Sequence, residues 1–398
     1  MIPASSPIRN SLALVLLLAA AGGIPLGAAE STLEDAIRLY DAGRYAESKP
    51  LLEQLVAAGN ADGITHYRLY FCQRTTGDPA QRQTLEQART LLEEEVAVAT
   101  GFESAFYLSN TYANLGLSDE VPRFAATFTA RFEAREIQAP ATAVEQFRLG
   151  KLYADQKKQR EAATWFDRAV DGFEASGDTV FAPYFEWAAR WLGNHAMDEE
   201  RYEAAAKHFG RVSLLTGATL DDFDKLGLAS LMVGEYRAAT KAWHRAVRIN
   251  PHNADRYRYG SGIAELCRET GEIPISPDGE RGWDETSAEE LNQMLTDHAA
   301  VVREVKAEAE AIEKLTAEHR KAFNARIDAV RPLFVGAALE SMRRGINLRE
   351  SAFFGGYAPL IFHAREWQVK PAPPPRKLTV HEIAEKRAKR AESEKKKD

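Results

Sequence analysis

From Glu30 onward, apolar residues recur every three or four positions, the spacing that puts them on one face of an α-helix. Leu33, Ile37 and Tyr40 share one such face, and Leu51, Leu52 and Leu55 share the next, with Gly43 and Tyr45 at the turn between them. The pattern is sharpest over residues 186–253, where it repeats with a period of 34. Leu192-Gly193, Tyr202, Ala205 and Phe209 stand that distance ahead of Leu226-Gly227, Tyr236, Ala239 and Trp243. A fixed period of this length predicts a helix–turn–helix unit that cannot bury its apolar face alone and must stack on its neighbours.

With Gly234, Ala246 and the Asn250-Pro251 stop, these residues fall where a tetratricopeptide (TPR) repeat places its small and large packing residues. The chain resembles that family clearly over residues 143–253 and in degenerate form over 30–142, about six units in all. The resemblance implies an all-α fold, an α–α superhelical solenoid over 30–270, with Ala254 to Thr270 as its capping helix. It also implies a groove lined by the first helix of each unit. Phe147, Lys151, Trp187, Arg190, Asn194, Lys225, Leu228 and Met232 are the groove residues expected on that basis. Arg190 with Asn194, assisted by Lys225, is similar in part to the carboxylate clamp that such domains use for peptide C-termini. Asp221 and Asp224 put opposing charge beside it.

Past the repeats, the Pro- and Gly-rich stretch 271–286 predicts a linker. Ser287 with Glu290 then forms a capping-box pattern. Leu291, Leu295, His298, Val302, Val305, Ala309, Ile312, Thr316, His319, Phe323, Ile327 and Val330 alternate by fours and threes. That is a heptad seam, and it predicts one long coiled-coil-like helix over 287–331, ~66 Å at 1.5 Å per residue. Pro332 is expected to end it. Residues 332–369 make an apolar and aromatic segment in which Phe353, Phe354, Tyr357, Phe362 and Trp367 offer a contact surface. Residues 370–398 form a tail that, from 371 on, opens on a Pro run and carries nine Lys and Arg against five Asp and Glu, a pattern expected to be solvated and disordered.

Composition narrows the function more than it names one. The net charge of −7 over 398 residues argues against a nucleic-acid partner. No HExxH, GxSxG, phosphate-cradling glycine loop or paired CxxC is present, so the sequence points to no enzyme, no cofactor and no metal. Cys72 and Cys267, far apart in helical patterns, are expected as buried free thiols. Arg9, the apolar run Leu12 to Ala21 and the small residues Gly27-Ala28-Ala29 have the layout of a signal peptide over 1–29. Export to a periplasmic or extracellular space follows, or membrane contact if that segment is retained. The expected function is an exported interaction scaffold in the bacterial envelope that binds other proteins or peptides. One alternative is an envelope enzyme or accessory using residues 349–367. Another is a rod that self-associates through 287–331.

Overall fold

A computed structural model describes residues 26–346 apart from 177–181, 252–253, 271–272, 275 and 315. Fifteen α-helices and no strand occur among the described residues. They fall into two compact units, one up to Ala188 and one from Ala189, with the division inside the helix Ala182–Asp198. Within each unit successive helices stack as α–α pairs, the solenoid pattern predicted.

The first unit holds α1 (Leu26–Asp41), α2 (Tyr45–Ala57), α3 (Gly63–Thr76), α4 (Gln81–Val98), α5 (Glu103–Asn114), α6 (Glu120–Glu133), α7 (Ala143–Asp155), α8 (Gln159–Ser176) and the start of α9 (Ala182–Asp198). Each of α1 to α7 packs on the next, α3 also touches α5, and α5 touches α7. First helices of neighbouring pairs therefore lie side by side. The helix α7 begins at a capping box in which Thr142 and Glu145 satisfy each other's backbone N–H groups. Gly43 makes the turn after α1 at φ 73°, a left-handed conformation that favours glycine. Lys157 holds the matching place after α7 at φ 61°. Lys157→Gly is expected to stabilise the first unit by about 0.5–1 kcal/mol, the left-handed penalty less the added chain entropy. Chemical denaturation of the two forms measures it.

One contact recurs in both units. A Cβ on Gly150 of α7 would stand 2.7 Å from the Phe166 ring of α8. Gly193 meets Phe209 at 2.9 Å in the same way, and Gly227 meets Trp243 at 2.5 Å. In each case the ring lies sixteen residues after the glycine. Only a residue without a side chain lets the two helices of a pair close over that ring. In the earlier pair α3–α4 it is Gly63 against Leu92, without an aromatic and at a different spacing, which is why the first repeats look degenerate.

The second unit continues with α10 (Tyr202–Val212), α11 (Leu220–Met232), α12 (Tyr236–Ile249) and α13 (Ala254–Thr270). Trp243 of α12 lies between Gly227 of α11 and Gly260 of α13, and its indole N–H donates to Asp224 at 2.9 Å. The helix α13 does not end the core as a cap would. Ile263, Ala264, Leu266 and Cys267 join one apolar cluster with Leu291, Leu295 and Val302, and with Phe334, Val335, Ala337 and Ala338.

Those last residues belong to two helices, and here the structure corrects the sequence. The expected single helix over 287–331 is α14 (Ala288–Ala311) followed by α15 (Ala317–Arg343). Ser287 caps the first with Glu290, as the sequence predicts, and Thr316 caps the second with His319. The chain reverses between them. His298 stacks on Phe334 with ring centroids 4.4 Å apart, and Arg326 donates to Glu308 at 2.7 Å. The first part of the heptad stripe, Leu291 to Val305, is thus buried within the fold without a second copy, while Thr316 and His319 lie exposed. Pro332 lies inside α15 rather than ending it. The lost backbone hydrogen bond, a cost of ~3 kcal/mol, is offset by packing of Phe334 to Ala338 just beyond.

The expected linker 271–286 is also packed structure over its described residues. Trp283 donates to the Pro274 carbonyl at 2.7 Å and covers Gly336 of α15. The Arg344 guanidinium donates to the carbonyls of Trp283, Asp284 and Thr286, each at 2.7 Å. Gly345, with φ 66°, follows the last turn of α15 in the left-handed conformation that commonly closes a helix.

His298 gives this unit a pH dependence. It is 1% exposed, and burial, with the Arg331 charge, pushes its pKa down to about 4. The unfolded chain, with a histidine near 6.5, takes up a proton before the folded one does. Stability is therefore lost as pH falls from about 6.5 toward 4, by up to about 1.4 kcal/mol per pH unit. His298→Leu is expected to flatten that slope, read from hydrogen exchange of the α14 and α15 amides.

Candidate functional site

The first helices of the first unit bring a line of aromatic side chains together. Tyr67, Tyr107, Phe147 and Trp187 recur every forty residues, one on each of α3, α5, α7 and α9. Tyr67 meets Tyr107 at 5.2 Å between centroids, and Phe106 carries the contact on to Phe147 at 6.0 Å. Phe147 stacks on Tyr184 at 4.7 Å and meets Trp187 edge-on at 5.6 Å. The line ends on Trp187, which is 38% exposed. The row thus runs from buried rings out to one solvent-facing tryptophan.

Charged groups are set into this row. Arg148 of α7 donates to Glu103 of α5 at 2.6 Å. Asn114 receives the Arg74 guanidinium at 2.9 Å and donates to the Tyr67 hydroxyl at 3.3 Å. Arg68 differs from these arginines. Its Cζ stands over the Tyr107 ring, 5.6 Å from the centroid, and its Nε, like that of Arg148, is buried with no hydrogen-bond partner. Its guanidinium makes neither a hydrogen bond nor an ion pair among the described residues. Burial works against that charge, but the fields of Tyr107, Glu103, Asp62 and Asp41 hold its pKa above the ordinary arginine value. Tyr40 and Tyr184 lie within its electrostatic reach. Burial, with the neighbouring tyrosines, pushes the Tyr40, Tyr67 and Tyr184 hydroxyls well above the usual phenol range, so they remain protonated donors.

The groove residues expected from sequence are placed as follows. Phe147 is on the aromatic row but only 4% exposed, a packing residue beneath it rather than a groove-facing one. Lys151 pairs with Asp155 on its own helix. In the second unit, Arg190 grips Asp222 of α11 with Nε at 2.8 Å and Nη2 at 2.9 Å, so its fork already holds a carboxylate. Asn194 accepts from Lys225 at 2.7 Å, and Lys225 also pairs with Asp221 at 2.7 Å. Leu228 and Met232 are partly buried against the core of the second unit. Arg190, Asn194 and Lys225 thus bind neighbours within the fold, and the clamp arrangement is replaced by internal pairs. Phe353, Phe354, Tyr357, Phe362 and Trp367 lie outside the described residues, as does the whole of 349–367.

The sequence pattern placed Tyr40 only as a packing residue and left Tyr67, Arg68, Tyr107 and Tyr184 unremarked. The forty-residue aromatic period was the available signal, and it is not the period of the clearer repeats. Cys72 and Cys267 are free, buried thiols whose pKa values burial pushes up to about 11 and about 12. Among the described residues no group of His, Cys, Asp and Glu side chains could hold a metal ion, and no helix is long and apolar enough to cross a membrane.

No family model matches the sequence, and no curated protein matches it. A solved structure does. The C-terminal part of a TPR repeat-containing protein from Cytophaga hutchinsonii is similar at 12% identity, with a TM-score of 0.30, over 75% of this chain and 94% of that one. The recurring approach of a glycine to a ring sixteen residues on makes this chain an all-α helical repeat by its own geometry.

Proposed function

We propose that this chain is an exported interaction scaffold that holds other polypeptides on the first-helix face of its first unit. The observation that carries the proposal is the aromatic row ending in the exposed Trp187. Helical repeats bury their cores by stacking, so a row that continues outward to a solvent-facing tryptophan has surface left for a partner. The signal-peptide layout of residues 1–29 supports export, and cell fractionation tests it: recovery of the chain only with cytoplasmic proteins contradicts it.

A photo-crosslinking residue placed at Trp187, with one at Thr90 on the second helix α4 as control, tests the surface. Thr90 is exposed but lies off the aromatic row. Specific crosslinks from position 187 and few from position 90 are expected in intact cells. Equal or absent crosslinking at the two positions overturns the proposal.

A further inference from the structure

The second unit carries a row of cations without counter-charges. Arg237, Lys241, Arg245 and Arg248 are all exposed on α12, and the helix contains no carboxylate, in a chain whose net charge is −7. The opposite side of α12 is core, with Ala239, Ala242, Trp243, Ala246 and Val247 buried. Arg237, Lys241 and Arg248 make no side-chain hydrogen bond or ion pair among the described residues. Arg245 donates to the Ser213 carbonyl at 3.1 Å and stands over the Phe223 ring, and neither partner is charged. That contact sets α12 beside the end of α10, whose exposed Lys207 is the repeat equivalent of Lys241 and is likewise unpaired among the described residues. The exposed Glu203 is the equivalent of Arg237, and the exposed Glu235 precedes α12, so both stand toward the N-terminal end of the row. The helix dipole favours Arg245 and Arg248 near the last turn but disfavours Arg237 in the first. Fold stability alone therefore does not account for the row.

We propose that this face of α12, with Lys207, binds peripherally to a membrane surface rich in anionic phospholipids. The row from Arg237 to Arg248 runs ~17 Å along one straight helix. An acidic peptide laid on it would have to order its own backbone for exposed ion pairs that each return little. A lipid surface presents many negative groups at once, and its potential acts on each cation without fixing any side chain. Ile249, four residues on from Arg245 and 49% exposed, adds an apolar contact at the end of the same stripe. Each cation near such a surface raises partitioning by about fivefold, so five give a partition coefficient on the order of 10³ M⁻¹.

Sedimentation of the full chain with vesicles tests this, using phosphatidylcholine alone and phosphatidylcholine mixed with phosphatidylglycerol. At about 0.1 M salt the chain is expected to sediment with the mixed vesicles only, and at about 1 M salt to be released from them. Combining Arg237→Gln, Lys241→Gln and Arg248→Gln should weaken binding about a hundredfold. The control combines Arg82→Gln, Lys157→Gln and Arg160→Gln, three exposed cations of the first unit that change the net charge equally, and should bind within about twofold of the parent. Arg237→Lys with Lys241→Arg should keep the binding, since charge rather than donor geometry is read. Equal sedimentation with both vesicle types, or binding that persists at about 1 M salt, overturns the inference, because apolar insertion would then carry the contact. An equal loss in the control also overturns it, since net charge and not this face would be responsible. Binding of polyglutamate through the same three residues, with none to phosphatidylglycerol vesicles, would give the face to an acidic polypeptide and overturn it too.

Discussion

Trp243→Ala is expected to destabilise the second unit by about 3–5 kcal/mol, enough to unfold it near physiological temperature. The side chain is 1% exposed and is among the largest fully buried residues described. Two glycines, Gly227 and Gly260, flank it at distances no Cβ would tolerate, so α11 and α13 are both held at a spacing set by this ring. Removing it leaves a cavity those helices cannot close without moving, and it leaves the Asp224 carboxylate without its indole donor. Gly227→Leu tests the same joint from the other side and is expected to cost about 1–3 kcal/mol by overpacking. Urea denaturation of the full chain measures both. A loss below about 1 kcal/mol in Trp243→Ala would mean that the ring fills space without setting the helix spacing.

Asp222→Ala is the second large effect, expected at about 3 kcal/mol or more. Asp222 is 0% exposed and does three things at once. It accepts both donors of the Arg190 fork, it accepts the Thr219 N–H at 2.7 Å, and it accepts the Thr219 hydroxyl at 2.8 Å. Alanine strands a partly buried guanidinium and removes the capping box that begins α11. Burial raises the pKa of this carboxyl, but the Arg190 and Thr219 hydrogen bonds outweigh it and hold the pKa below the ordinary value. A depressed carboxylate stabilises the fold above the unfolded pKa, near 3.9, and the contribution is lost as pH falls through the lower folded value. Asp222→Asn should therefore be less stable than the parent at pH 7 and approach it below about pH 3. A parent and variant separated by the same margin at both pH values would contradict the assignment.

How much of this was legible in the sequence depended on whether the signal was local. The pairs Gly193–Phe209 and Gly227–Trp243 set the helix–turn–helix repeat because glycine and ring must meet across one turn, at fixed spacing. Ser287 with Glu290 gave the start of α14 for the same reason, since a cap is a contact over three residues. The fold-back was hidden. A heptad stripe states that a face is buried but not against what, and the break at Ile312 to Thr316 contains neither glycine nor proline. Its one local mark was Thr316 ahead of His319, read there as a seam position. Pro332 misled in the opposite direction, because packing of Phe334 to Ala338 outweighs one missing hydrogen bond. Arg190 looked like a groove ligand since nothing near it in sequence shows that Asp222, on the next repeat, already fills its fork.

The account stands most directly on Trp187 as part of a partner-binding face. Partner recovery from intact cells by the full-length protein, compared with Trp187→Ala and with the control Thr90→Ala, measures that claim. Trp187→Ala should keep its thermal midpoint within a few degrees while losing most of the specifically recovered partner, and Thr90→Ala should lose neither. Undiminished recovery by a folded Trp187→Ala protein would contradict the account.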